Sequence, residues 1–254
     1  MDRLHNAILI RTLCEDDHSE SRYSDFIINE YNAPRLTTTV ATMPAARRSS
    51  RNGFKICRYW LENHGMNMAQ LTEKDKMIGG QLYRSSDDLL RNERKRARRL
   101  LKAFNDTLPD EIEKRVAVLR ELLGALDGQA EIEPPFYCDY GYNIYIGDNF
   151  YANFNCIILD CAKVAIGNNV FLGPNVQIYT ATHPLAVKER NKGLEAAKPI
   201  IIEDNVWICG GVIINPGVTI GNGTTIGAGS VVTRDIPPNV FAAGNPCNVI
   251  RNLI

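Results

Sequence analysis

The sequence predicts a mainly β protein: a three-sided prism of short parallel strands, preceded by a small α-helical unit. Three observations carry that expectation. Aliphatic residues recur six positions apart: Ile146, Ala152, Ile158; Ile166, Leu172, Ile178; then Ile202, Ile208, Ile214, Ile220, Ile226 and Val232. No amphipathic helix has that period, and an ordinary half-buried strand alternates every two residues. Glycine follows many of these positions (Gly147, Gly167, Gly173, Gly221, Gly227), with asparagine close behind, as in Ile146-Gly-Asp-Asn149. Both residue types tolerate the positive φ of a sharp corner, so the pattern assigns them to corners between flat strands. Finally, residues 72–123 carry helix starts and one apolar stripe.

Residues 1–70 have no clear period and contain polar stretches such as Thr37-Thr-Thr39 and Arg47-Arg-Ser-Ser-Arg51. They read as an N-terminal extension, disordered or loosely packed. Met66 and Met68 leave an internal start open.

The helical unit is expected over residues 71–127. Thr72-Glu73-Lys74-Asp75 resembles a helix start, and Ser85-Ser-Asp-Asp88 offers caps for a second helix through about Phe104. Pro109 and Asp110 open a third, with Val116, Val118, Leu119, Leu122 and Leu123 as its apolar stripe. The second helix is basic (Arg91, Arg94, Lys95, Arg96, Arg98, Arg99, Lys102). Such a run is either a solvated face or a source of one or two arginines that reach a polar ligand.

The prism occupies residues 128–254, each coil burying its apolar residues against its neighbours. Two irregularities interrupt the ladder. Ile158 to Ile166 is eight residues, which places a bulge near Cys161 and Ala162. Ile178 to Ile202 is twenty-four, and residues 184–199 are charged and lack inward aliphatics, so a loop leaves the prism and the ladder resumes in phase. Long loops in repeat arrays are usually functional.

Composition narrows the function classes. The 254 residues have zero formal net charge, which selects neither nucleic acid nor an anionic membrane as a partner. Seven cysteines without a C-x-x-C pair fit neither a disulfide framework nor structural zinc, and point to a reducing cytosol. No apolar run reaches membrane-spanning length, and the acidic stretch after Cys14 does not suit a leader peptide, so a cytoplasmic location is expected.

Of four histidines (His5, His18, His64, His183) only His183 lies in the regular part, just before the extruded loop. At a cleft between coil and loop an imidazole suits general-base activation of a hydroxyl. One histidine is too few for a zinc hydrolase, so no metal is expected. Cys138, Cys156, Cys161, Cys209 and Cys247 suit inert packing better than nucleophilic catalysis.

The runs Ile201-Ile-Glu-Asp-Asn-Val-Trp-Ile208, Ile214-Asn-Pro-Gly-Val-Thr-Ile-Gly221, Ile226-Gly-Ala-Gly-Ser-Val-Val-Thr-Arg-Asp235 and Ala243-Gly-Asn-Pro246 closely resemble the hexapeptide-repeat acyltransferases. Met77-Ile-Gly-Gly-Gln-Leu-Tyr-Arg84, Cys138-Asp-Tyr-Gly-Tyr-Asn143, Phe150-Tyr-Ala-Asn-Phe-Asn155 and Thr180-Ala-Thr-His-Pro184 are similar to the maltose and galactoside O-acetyltransferase branch. The resemblance covers about residues 72–254. It implies a left-handed parallel β-helix, a hand that the period does not reveal. It also implies a homotrimer with acetyl-CoA lying between adjacent prisms.

By the same resemblance, His183 would be the general base in a direct transfer of acetyl to a sugar hydroxyl. Ser85, Arg94, Asp139, Asn153, Cys161 and Glu195 would contact the acceptor. Asn153, Trp207, Gly210, Ala228, Thr233, Arg234 and Arg251 would hold acetyl-CoA. Asn153 can equally be a corner residue satisfying backbone groups, and Trp207 a core or trimer-interface residue.

Galactoside enzymes carry an acid where Ser85 stands, a serine at Asp139 and an aspartate at Cys161. Leu82-Tyr-Arg-Ser-Ser-Asp87 is closer to the maltose branch, so a glucose- or maltose-type acceptor is expected. The alternatives are another acceptor (galactoside, lipo-oligosaccharide, serine or an amine) and a non-catalytic trimeric scaffold.

Overall fold

The computed structural model describes residues 7–15, 21–29 and 71–253. The chain divides into two units, residues 1–70 and 71–254. In the first, β1 (Ala7–Glu15) and β2 (Ser21–Asn29) pair antiparallel from Ala7 opposite Asn29 to Glu15 opposite Ser21. The sequence reading found no period there and did not anticipate this hairpin. The expectation of disorder or loose packing over the rest of residues 1–70 lies outside the described residues.

The second unit opens on α1 (Glu73–Ile78), held by a capping box. Thr72 Oγ1 accepts the Asp75 amide at 3.1 Å, and the Thr72 amide donates back to Asp75 Oδ2 at 3.0 Å. After β3 (Tyr83–Arg84), Asp87 caps α2 (Asp88–Asn105) by accepting from the amides of Leu89 and Leu90. Leu90, Ala97, Leu101 and Phe104 share the buried face of α2, while the cations other than Arg94 point to solvent. Then α3 (Ile112–Leu122) begins two residues later than Asp110 suggests, without a side-chain cap. Its Leu119 and Leu122 are buried, whereas Val116 and Val118 are only half-buried. These helices cover the first coil of the prism. Asn105 clamps them to it, its Nδ2 donating to the Phe136 carbonyl at 3.0 Å and its Oδ1 accepting the Phe136 amide at 2.9 Å.

Each coil contributes one strand to each face. On the first face lie β4 (Ala125–Leu126), β7 (Ile144–Ile146), β10 (Val164–Ile166), β15 (Ile200–Ile202) and β18 (Thr219–Ile220). The second holds β5 (Ala130–Ile132), β8 (Phe150–Ala152), β11 (Phe171–Leu172), β16 (Trp207–Ile208), β19 (Thr225–Ile226) and β21 (Val240–Gly244), closed by antiparallel β22 (Cys247–Asn252). The third holds β6 (Phe136–Cys138), β9 (Cys156–Leu159), β12 (Gln177–Tyr179), β17 (Ile213–Ile214) and β20 (Val231–Val232). Apart from β22 the pairing on all three faces is parallel, and ladder residues stack on one another, as Ile158 on Ile178 and Ile178 on Ile214. Every ladder residue from Ile146 to Val232 is buried, none more than 5% exposed. The ladder also begins one coil earlier than its glycine signature, with Leu126, Ile132 and Cys138 beneath Ile146, Ala152 and Ile158.

The corners correct one part of the sequence reading. Positive φ falls on Asn149, Asn155, Asn169, Asn175 and Asn205, and on Gly211, Gly217, Gly223 and Gly229, but not on the glycines that follow the ladder residues. Those glycines are required by close approach instead. A Cβ on Gly173 would lie 2.5 Å from the Gly210 backbone nitrogen, and one on Gly221 2.4 Å from that of Pro238. The first corner is further tied by an amide ladder: Asn149 donates to Asn169 at 2.8 Å, Asn169 to Asn205 at 3.0 Å and Asn205 to Asn222 at 2.9 Å.

Candidate active site

The insertions that interrupt the ladder fall on the third corner of the prism, between the third and first faces. Cys138 to Ile146 carries the same two extra residues as Ile158 to Ile166, and the long loop leaves directly above them. Thr180, fully buried, fixes the root of that loop: its hydroxyl donates to the Leu159 carbonyl at 2.6 Å and accepts the Ala162 amide at 3.0 Å. The loop is a hairpin of β13 (Ala181–Thr182) and β14 (Leu194–Ala197) with a short α4 (Val187–Arg190). On its other side β14 pairs with β3, bringing the helical unit's Leu82-Tyr-Arg-Ser85 motif to the same corner.

His183 sits exposed at the base of this hairpin, with Nδ1 3.2 Å from the Leu194 carbonyl oxygen. A carbonyl can only accept, so in the neutral ring the proton is on Nδ1 and the lone pair is on Nε2. Next along β14, Glu195 receives the Ser85 hydroxyl at 2.6 Å and the Tyr83 hydroxyl at 2.9 Å. Arg94 donates to Tyr140 Oη at 2.5 Å and to the Ser85 carbonyl at 2.6 Å. The Cys161 thiol donates to Asp139 Oδ2 at 3.5 Å.

Burial raises the Asp139 carboxyl above its ordinary range, opposed by the Cys161 contact and by the charges of Arg94 and Arg98, and reinforced by Glu195. Burial and Asp139 push the Cys161 thiol far up, so it stays protonated and un-nucleophilic at neutral pH. Ser85, Arg94, Asp139, Cys161 and Glu195 therefore form one polar cluster beside His183. Tyr83, Tyr140, Asp160 and Thr180 belong to the same construction. Sequence reasoning did not single them out, although both tyrosines lie inside the motifs it used.

Asn153 is elsewhere. It occupies the second corner, where its Oδ1 accepts the Phe154 amide at 2.7 Å. A strand rise of about 3.3 Å per residue puts that corner on the order of 15–20 Å from the third, so one chain does not bring Asn153 to His183. Gly210 and Ala228 lie on the same edge as Asn153, two and three coils further on. A Cβ on Gly210 would press on Pro174 at 3.2 Å. Trp207 projects outward from the second face, 54% exposed, which rules out the core reading. Arg251 lies over the Phe241 ring on that face, its guanidinium carbon 5.8 Å from the centroid. Thr233 and Arg234 follow β20, and the Arg234 side chain reaches to Asn248 of β22, the strand that closes the second face.

Among the described residues no group of three or more His, Cys, Asp or Glu side chains is arranged to hold a metal ion. No helix among them is long and apolar enough to cross a membrane.

Two family models match the chain: the maltose acetyltransferase hexapeptide capping motif over residues 76–128 and the bacterial transferase hexapeptide (six repeats) over residues 199–234. The crystal structure of a maltose O-acetyltransferase from Clostridium difficile 630 is 55% identical, with a TM-score of 0.72 over 72% of this chain and 98% of that one. Galactoside O-acetyltransferase of Escherichia coli K12 is 47% identical over 188 residues, 74% of this chain and 91% of that protein. A hexapeptide-repeat acetyltransferase of Vibrio cholerae, solved in complex with acetyl-CoA, is 41% identical, with a TM-score of 0.68 over 72% of this chain and all of that one, 100%. The match runs over nearly the whole length of each of these proteins, and the chain belongs to the maltose/galactoside O-acetyltransferase family of hexapeptide-repeat acyltransferases, with their left-handed β-helix.

Proposed function

We propose that this acetyltransferase moves acetyl from acetyl-CoA to a hydroxyl of a glucose- or maltose-type sugar, with His183 as general base. The observation that carries the reading is the Nδ1 contact of His183 with the carbonyl of Leu194, the residue before Glu195, which leaves Nε2 as the basic nitrogen. The acceptor hydroxyl oxygen attacks the thioester carbonyl carbon while Nε2 takes its proton. The tetrahedral intermediate collapses by breaking the carbon–sulfur bond, and the imidazolium returns the proton to the departing CoA thiolate. The products are an acetyl ester and CoA thiol, with no acyl-enzyme.

Asp139 and Glu195 accept hydrogen bonds from the other sugar hydroxyls. Each Glu195 oxygen already receives one protein hydroxyl and keeps a lone pair for the ligand. Ser85, Arg94 and Cys161 belong to the same acceptor site through their bonds to Glu195, Ser85 and Asp139. Asn153, Trp207, Gly210, Ala228, Thr233, Arg234 and Arg251 line the channel for acetyl-CoA between adjacent prisms. We read the assembly as a homotrimer; the placement of Asn153 and His183 on different corners of one chain supports a site shared with a neighbouring prism. The free cysteines Cys138, Cys156, Cys161, Cys209 and Cys247 suit a reducing cytosol.

Thiol release from acetyl-CoA, measured against glucose, maltose, a galactoside, serine and an amine, tests the reading. Stimulation by glucose or maltose above the others is expected; stimulation by none of the five would sink it.

A further inference from the structure

The third corner contains a buried carboxylate that the proposed chemistry does not use. Asp160 is fully buried in the second coil's bulge. Its Oδ1 accepts the amides of Asp139 at 3.0 Å and Tyr140 at 2.8 Å, and its Oδ2 accepts that of Asn143 at 3.3 Å. Asn143 Nδ2 returns a bond to the Asp160 carbonyl at 2.7 Å. The two-residue insertion of the first coil is thus wrapped around one side chain from the coil above. That insertion presents Asp139 beside Cys161 and Tyr140 beneath Arg94, two contacts that line the acceptor cluster.

We propose that Asp160 is a positioning residue for the acceptor, its ionised carboxylate clamping the turn 139–143 so that Asp139 and the Tyr140–Arg94 pair face the sugar. The inference rests on the sugar-acetyltransferase reading. Three amides converging on one carboxylate favour its charged form, while burial opposes ionisation and, with the charge of Asp139, raises its pKa to about 7. Cys138, Asp139, Cys161 and Tyr142 are the other titratable groups that face it, and none of them is cationic. Protonation turns one acceptor oxygen into a donor and loosens the turn.

Asp160→Asn mimics that state and tests the clamp on the full chain. Its KM for the best of glucose, maltose and galactoside should rise about tenfold, the effect of one hydrogen bond lost, with the KM for acetyl-CoA within about twofold of wild type. In wild type the acceptor KM should rise as pH falls below about 7, and in the variant it should be flat there. Hydrogen exchange reads the turn without any acceptor: the amides of Asp139, Tyr140 and Asn143 should lose protection in Asp160→Asn. If Asp160→Asn does not fold, Asn143→Ala removes the return bond and should shift the acceptor KM the same way. Unchanged protection, or equal rises in both KM values, would overturn the clamp. Wild type inactive on every acceptor would overturn the sugar-transfer reading and leave the exchange result to judge the clamp.

Discussion

Tyr83 and Glu195 face each other across the antiparallel pair of β3 and β14, and the Tyr83 hydroxyl donates to Glu195 Oε2 at 2.9 Å. Tyr83 is fully buried, so this bond reinforces from within the β3–β14 pairing and the Ser85–Glu195 bond that join the helical unit's motif to the extruded hairpin. Tyr83→Phe keeps the ring packing and removes only the donor. It should lower stability by about 1 kcal/mol, measured by urea unfolding, and raise the acceptor KM several-fold by freeing Glu195. Unchanged acceptor KM would separate Glu195 from sugar binding.

His183→Ala should reduce turnover by about a hundredfold to ten-thousandfold, the usual contribution of a positioned general base. The side chain is exposed, so its melting temperature should barely move. Activity retained at the wild-type level would remove His183 as the base.

The opposite placement of Asn153 and His183 makes a sharper test of the shared site. If one prism supplies Asn153 and its neighbour His183, neither Asn153→Ala nor His183→Ala is active alone. Oligomers mixed from the two variants, by joint refolding or co-expression, should recover part of the wild-type rate, since some interfaces then hold both native residues. No recovery, with mixing confirmed by mass, would remove Asn153 from the site, because one chain alone does not bring it to His183.

The architecture was legible because its cause is periodic. A residue every six must stack, and Ile178 between Ile158 and Ile214 does so. Positive φ was legible at Asn149 and Asn169 for the same reason: few other residues adopt it without strain. At Gly173 the glycine reflects a neighbouring coil rather than its own dihedral, and that contact is thirty-seven residues away in the chain, at Gly210. The first coil falls inside the expected prism of residues 128–254, but its ladder positions were not read because Cys138 stands where an aliphatic would announce them. Of the site, His183, Ser85, Arg94, Asp139, Cys161 and Glu195 converge, but Asp160 was invisible in sequence because an acid in a bulge reads as exposed until its three amide donors are seen.

Two glycines should therefore respond differently to alanine. Gly173→Ala drives a Cβ to 2.5 Å from the Gly210 nitrogen, which neither coil can avoid without breaking its ladder. A loss of about 3 kcal/mol is expected from such overpacking. Gly193, at φ +74° in the extruded hairpin, meets nothing within 4 Å, so Gly193→Ala adds only backbone strain of about 1 kcal/mol. Urea unfolding of both variants checks the order; equal losses would mean that close approach is not what selects glycine at position 173.

Asp160 also links stability to pH, in a direction opposite to most carboxylates. Its folded pKa of about 7 lies above its ordinary value of 3.8. Between those values the folded chain keeps a proton that the unfolded chain has released. Raising the pH through this window therefore favours unfolding: the stability present below about 4 is lost progressively towards pH 7, by a few kcal/mol at this size of shift. Asp160→Asn cannot ionise, so its stability relative to wild type should improve as pH rises from 5 to 8. A stability difference independent of pH over that range would show that Asp160 titrates in the ordinary range despite its burial. Acidification would then leave its carboxylate bonded to the three amides, and the clamp would hold at any pH the enzyme meets.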